Sequence, residues 1–179
     1  KKPVSCEVFA DDEKNMILQG EQISKWGQNV YVKVPVCNSK GKFMGKVIQE
    51  LNKNNIKLNI TAIFTVDQLK NILDSFNNPT PSIISVFAGR IADSGLDPMK
   101  IMNECAQIVK SKENMELLWA SSREVLNIFQ AEESNSQIIT IAPEILDKLK
   151  FLNKDLNEFS LDTVKDFFKD ANSAGFNLL

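Results

Sequence analysis

The sequence predicts an α/β protein: a (β/α)8 TIM barrel that lacks its first two β/α units in the chain given and adds a C-terminal helix. Three observations carry this. Short β-rich runs alternate with longer helical patterns six times, which implies a parallel sheet with helical crossovers. Glu7, Lys33, Asn59 and Ser85 stand 26 residues apart in succession, each inside a strand candidate, and so constant a step suits a closed ring of repeating units. Polar residues then converge on one face of those strands. An open α/β sheet is built from the same units and remains the alternative on pattern alone.

The strand candidates are Val4–Phe9, Val30–Val34, Leu58–Phe64, Ile83–Phe87, Glu116–Ala120 and Gln137–Ile141. Thr65 with Gln68 reads as a capping box for the third helix. Asp97–Pro98 is a cap and first-turn pair, after which Met99, Met102, Ala106 and Val109 recur at helical spacing. Ser121 with Glu124 is a further capping-box candidate, and Pro143 can open the helix after the sixth strand. Residues 77–81 (NNPTP) form a turn, and Leu161–Ala174 reads as a final helix. No linker divides the chain, so residues 1–179 are expected to form one barrel domain. A closed barrel needs eight strands and about 200–250 residues, so two β/α units, on the order of 50 residues, are expected to precede Lys1.

Composition narrows the chemistry. Hydrophobic residues (43%) and charged residues (25%) stand in globular proportion, and the net charge of −2 shows no basic excess of the kind nucleic-acid binders carry. No apolar run reaches the roughly 18–20 residues of a membrane span, and no signal peptide is visible. Cys6, Cys37 and Cys105 are odd in number and far apart, which fits buried thiols in a reducing cytoplasm rather than a disulfide or zinc framework. The chain has no histidine. Triads built on imidazole and the usual catalytic zinc ligands are therefore absent from it. Lysine, carboxylates, hydroxyls and arginines are left.

Side chains alternate across a strand. In the second strand Val30, Val32 and Val34 share one face, toward the helices, and Tyr31 and Lys33 point inward. The same parity turns Ser5 and Glu7, Asn59 and Thr61, and Ser85 and Phe87 inward, with Cys6, Val8, Ile60, Ala62, Ile84 and Val86 outward. Ser121 is placed inward at the end of the fifth strand, with Trp119 two residues before it. Buried lysine and glutamate are rare unless paired or functional. The bland reading is a satisfied polar plug in which Lys33 simply bonds Glu7. The functional reading is that a dry interior disfavours the ammonium form, leaving a neutral amine whose natural target is a carbonyl. Arg90 and Arg123 follow the fourth and fifth strands, at the mouth where barrel active sites lie. Two guanidinium groups there suit a phosphate, although helix-surface solvation would explain either one.

Several stretches together resemble the transaldolase family: VYVKVPV (30–36), KLNITAIFT (57–65), ISVFAGRIADSG (84–95) and WASSRE (119–124), in that order and spacing. IITIAPEILDKL is similar to that family's last strand and helix. The resemblance implies a class I, Schiff-base (β/α)8 barrel that needs no metal or organic cofactor. It implies that Lys33 forms the imine, that Glu7 and Thr61 hold a proton-shuttling water, and that Asn59, helped by Ser121 and Ser85, orients a three-carbon unit. Arg90 and Arg123 would bind a substrate phosphate, and Phe87 would line the pocket. The related fructose-6-phosphate aldolases carry Gln in place of Glu7 and Tyr in place of Phe87, which favours transfer of a dihydroxyacetone unit from ketose phosphate to aldose phosphate. Release of free dihydroxyacetone, and a catalytically silent sugar-phosphate-binding barrel, are the alternatives. The family's aspartate general acid/base and its Thr-Thr-Asn-Pro stretch lie on its first two strands, and neither stands in this sequence. A cytoplasmic homo-oligomer acting in carbohydrate metabolism, the pentose phosphate pathway included, is the setting the resemblance implies. The adjacent Phe167 and Phe168 on the last helix are expected to cover a neighbouring subunit or the barrel mouth.

Overall fold

The computed structural model describes residues 1–175. They fall into two compact units, the first being Lys1–Ala142 and the second beginning at Pro143. In the first unit the elements follow in the order β1 (Val4–Glu7), α1 (Glu13–Ser24), β2 (Val30–Pro35), α2 (Gly45–Lys53), β3 (Leu58–Ile63), α3 (Val66–Leu73), β4 (Ser82–Val86), α4 (Ala88–Asp93), α5 (Met99–Lys110), β5 (Met115–Trp119), α6 (Leu126–Glu133) and β6 (Ile138–Ile139). The second unit holds α7 (Pro143–Asp147), a 3-10 turn (Lys148–Phe151) and α8 (Leu156–Ser173).

Each strand pairs with the next in sequence, always in parallel, giving a six-stranded sheet in the order β1 to β6. This is half or more of a TIM-type barrel wall; β1 and β6 each have a single neighbour among the described residues. The 26-residue spacing matches the register at its first two steps, where Glu7 pairs with Lys33 and Lys33 with Asn59. At the third step Asn59 faces Ile83 instead of Ser85. An offset of two keeps Ser85 on the same face. Its hydroxyl reaches Asn59 Oδ1 diagonally, at 2.7 Å.

The helix-facing side is apolar as parity requires. Val32, Val34, Leu58, Ile60, Ile84, Val86, Leu117 and Trp119 have no exposed surface and join Met16, Ile48, Leu51, Leu69, Met102 and Cys105 of the helices in one cluster. A small second cluster, Tyr31, Ile83, Leu118 and Ala120 with Phe87 and Ile138, occupies the other face. Trp119 therefore departs from the expected inward placement. Ser121 has a left-handed φ of 66°, which breaks the alternation between it and Trp119. Ala62 has φ 60°, and the β3–β4 register shifts between Ile60 and Ile63, so a bulge sends Ile63 into the helix-side core after Thr61 has pointed the other way.

Several ends differ from the pattern for local reasons. β1 stops at Glu7 because the amides of Phe9 and Ala10 turn to Gln19. β6 is only two residues long; Gln137 Oε1, a side-chain atom, takes the hydrogen bond from Leu117 N that a longer strand would accept with its backbone. α8 begins five residues before the expected Leu161, since Asp155 accepts from the amides of Asn157 and Glu158 and starts the helix there.

Candidate active site

The carboxyl ends of the strands surround a cavity of about 340 Å3, lined by Lys33, Asn59, Thr61, Ser85, Phe87 and Ser121 among others. Six of the nine residues singled out from sequence thus meet at one place. Asn59 lies at its centre, 3% exposed. It donates to Ser5 Oγ at 2.9 Å and accepts from Ser85 Oγ at 2.7 Å, so β1, β3 and β4 are tied together across the inner face. Thr61 is 2% exposed, and its hydroxyl has no hydrogen-bond partner among the described residues. A buried hydroxyl left unmatched costs stability, and most such groups in proteins have a partner. Phe87 packs on Phe64 with ring centroids 5.7 Å apart.

Lys33 Nζ lies 3.5 Å from Glu7 Oε2. The pairing follows directly from register, since the two residues are opposite one another in adjacent parallel strands. The lysine side chain keeps 29% of its exposure and the glutamate 47%. The expected dry enclosure is therefore not what the structure presents. Beyond β2 on that side, among the described residues, stands the four-residue β1, whose Ser5 and Glu7 are themselves exposed. Glu7 does not itself border the cavity.

Neither arginine borders it. Arg90 is exposed on α4 with its guanidinium 5.6 Å from the Phe87 ring centroid, a cation–π contact with a residue that does line the cavity. Arg123 is held by Asp93 of the same helix, with Nε donating at 3.2 and 3.1 Å to the two carboxylate oxygens. Asp93 carried no sequence signal beyond its place in the GRIAD stretch. α4 can approach this loop so closely only because residue 89 is glycine: a Cβ there would lie 1.6 Å from the Ser121 carbonyl oxygen. Thr140 was also missed. It lines the cavity, accepts from Ser121 N at 3.1 Å through its hydroxyl, and accepts from the Ser122 hydroxyl through its carbonyl. Alternation from Ile138, which faces inward, would have found it.

A roomier hollow of about 600 Å3 lies at the opposite, amino ends of the strands, around Gln28, Tyr31 and Lys57. There Lys57 Nζ is already engaged by the Gln28 carbonyl at 2.8 Å, and no nucleophile faces an acid.

A family model described as Transaldolase/Fructose-6-phosphate aldolase matches residues 1–178. The chain belongs to the transaldolase/fructose-6-phosphate aldolase family. Family members of the same kind agree. A probable transaldolase of Methanococcus maripaludis strain C7 is 32% identical over 148 residues, 82% of this chain and 65% of its own length. A probable transaldolase of Methanococcus vannielii is 31% identical over 163 residues, 90% of this chain and 71% of its own. One from Thermoanaerobacter sp. strain X514 is 27% identical over 170 residues, 94% and 74%. The chain thus spans about two thirds of the length of these transaldolase relatives. Among the described residues no helix is long and apolar enough to cross a membrane.

Proposed function

We propose that this chain supplies most of a transaldolase site, in which Lys33 forms a Schiff base with a ketose phosphate and a dihydroxyacetone unit passes to an aldose phosphate. The observation that carries the reading is a lysine on a cavity whose other polar groups are an amide and hydroxyls, with the Glu7 carboxylate, outside that lining, 3.5 Å from its amine. Lys33, in its uncharged form, attacks the C2 ketone; water is lost and the protonated imine draws the C3–C4 electrons as that bond breaks. Glu7 reaches the amine directly in this structure, at 3.5 Å, and with Thr61 is the proposed holder of the water that moves protons. Asn59, Ser85 and Ser121 are proposed to bind the hydroxyls of the three-carbon unit, and Phe87 to wall it. Arg90 is proposed to meet the phosphate, and Arg123 to do so from its place on Asp93. In the whole protein two further β/α units are proposed to complete the barrel and to bring the aspartate that the family uses as acid and base. The open β1 and β6 edges and the greater length of the relatives support this.

Borohydride trapping tests the central step. Incubation of the whole protein with fructose 6-phosphate and reductant is expected to add a three-carbon mass to Lys33, and a Lys33→Met variant to take up none. An unlabelled wild-type chain that still binds the sugar would leave the silent-barrel reading standing. The aldolase alternative is favoured only if free dihydroxyacetone accumulates without an acceptor aldehyde.

A further inference from the structure

One device recurs at the rim. After β1, the amides of Phe9 and Ala10 both donate to Gln19 Oε1, each at 2.9 Å. After β3, the amides of Phe64 and Thr65 donate to Gln68 Oε1 at 2.8 and 3.1 Å. After β5, the amides of Arg123 and Glu124 donate to Asn127 Oδ1 at 2.7 and 3.2 Å. Each time one side-chain carbonyl, on the helix that follows, gathers two consecutive N–H groups where the strand has ended and ladder partners have run out. The loops after β2 and β4 need no such help. The first closes on itself through the Cys37–Phe43 bridge, and β4 runs through Phe87 straight into α4.

The three clamped strand ends are those that carry Glu7, Thr61 and the Ser121–Arg123 corner. We propose that Gln19, Gln68 and Asn127 are positioning residues, amide clamps that hold alternate βα loops so that these groups keep their places around the cavity. An amide suits the task because its single oxygen has two lone pairs and satisfies two N–H groups at once. Asn127 is 5% exposed and its own amide donates to Gln130 Oε1 at 2.8 Å, so it is fixed before it fixes the loop. A loop held at one atom by two bonds cannot drift without breaking both, and small displacements of reacting groups cost rate steeply.

The inference rests on the Schiff-base reading, and the test separates the two. At position 19, methionine keeps the length and loses the acceptor, whereas glutamate keeps an acceptor oxygen. Gln19→Met is expected to lower kcat by about tenfold with KM unchanged, and Gln19→Glu to stay within about twofold of wild type. Asn127→Leu is expected to raise KM about tenfold for a phosphorylated ketose and by a smaller factor for the unphosphorylated one, because the loop it frees carries Arg123 as well as Ser121. If Met and Glu at 19 behave alike while wild type forms the Lys33 adduct, the inference falls and the reaction stands. The same holds if Asn127→Leu moves both KM values by the same factor. Should Asn127→Leu fail to fold, the Gln19 pair decides. A wild type that forms no adduct overturns the reaction and the clamps' role with it.

Discussion

The hydroxyl of Thr61 is the most informative polar atom at the residue scale, because it is enclosed and unmatched while its neighbours are not. Asn59 uses both ends of its amide on Ser5 and Ser85, and Glu7 has Lys33. Replacing a threonine whose hydroxyl bonds nothing in the fold should cost little stability, since no protein partner is orphaned. Thr61→Val is therefore expected to leave the urea midpoint near wild type and to lower turnover by about 100-fold, the usual worth of a proton-transfer partner. Thr61→Ser should recover most of it. Wild-type turnover in the valine variant would take Thr61 out of the mechanism. Thiol chemistry gives a second residue-scale expectation. Cys105 is buried on α5, and burial, with Glu104 adding to it, pushes its thiol up to about 12. Only the thiolate is alkylated, so at pH 8 iodoacetamide should modify Cys6 and Cys37, both half-buried, well before Cys105. Mass spectrometry that found Cys105 labelled first would contradict its packing.

At the scale of elements, local chemistry decided more than propensity. Thr65 and Gln68 form the capping box their spacing announced, because both hydrogen bonds lie within four consecutive residues. Asp97 likewise accepts from Met99 N at 2.9 Å. Ser121 and Glu124 have the same spacing and form no such box. The hydroxyl–amide geometry of a cap needs extended backbone at the first residue, and Ser121 is left-handed. Asn127 does the work from inside the helix that follows, a back-reaching contact that no forward-reading motif describes. The approach of α4 to the Ser121 loop makes Gly89 the most sensitive position in that helix. Gly89→Ala would drive a methyl into the Ser121 carbonyl, and the expected loss is about 3 kcal/mol in urea unfolding, with activity falling alongside as Ser121 shifts. An alanine variant as stable as wild type would mean that the loop relaxes freely and that α4 does not fix it.

Across the whole molecule, the parallel sheet gathers residues 5 to 140 around one cavity, with its lysine and most of its hydroxyls toward the carboxyl ends of strands. The apolar load is uneven. In the second unit α8 has no buried side chain, and Phe167 and Phe168 are 68% and 73% exposed. So much exposed aromatic surface on one helix suits a partner, and the homo-oligomer expected from the resemblance would cover it. Sedimentation of wild type is expected to give a species larger than the monomer, and Phe167→Asp with Phe168→Asp to reduce it. A wild type that sediments as a strict monomer at micromolar concentration would count against that assembly.

The repeating β/α order, the face on which Lys33 stands, and the meeting of Lys33, Asn59, Thr61 and Ser85 were legible from the amino acids alone. All three follow from strand parity and a constant spacing, which are properties of a short stretch of chain. The placement of Trp119, the exposure of Lys33, the capture of Arg123 by Asp93 and the amide clamps were settled only by the tertiary structure. Each depends on a left-handed residue, an open sheet edge or a contact between segments distant in sequence. Periodicity carries no information about how many neighbours a strand has or which carboxylate reaches a guanidinium first, and those are the quantities that set the site's solvation and charge.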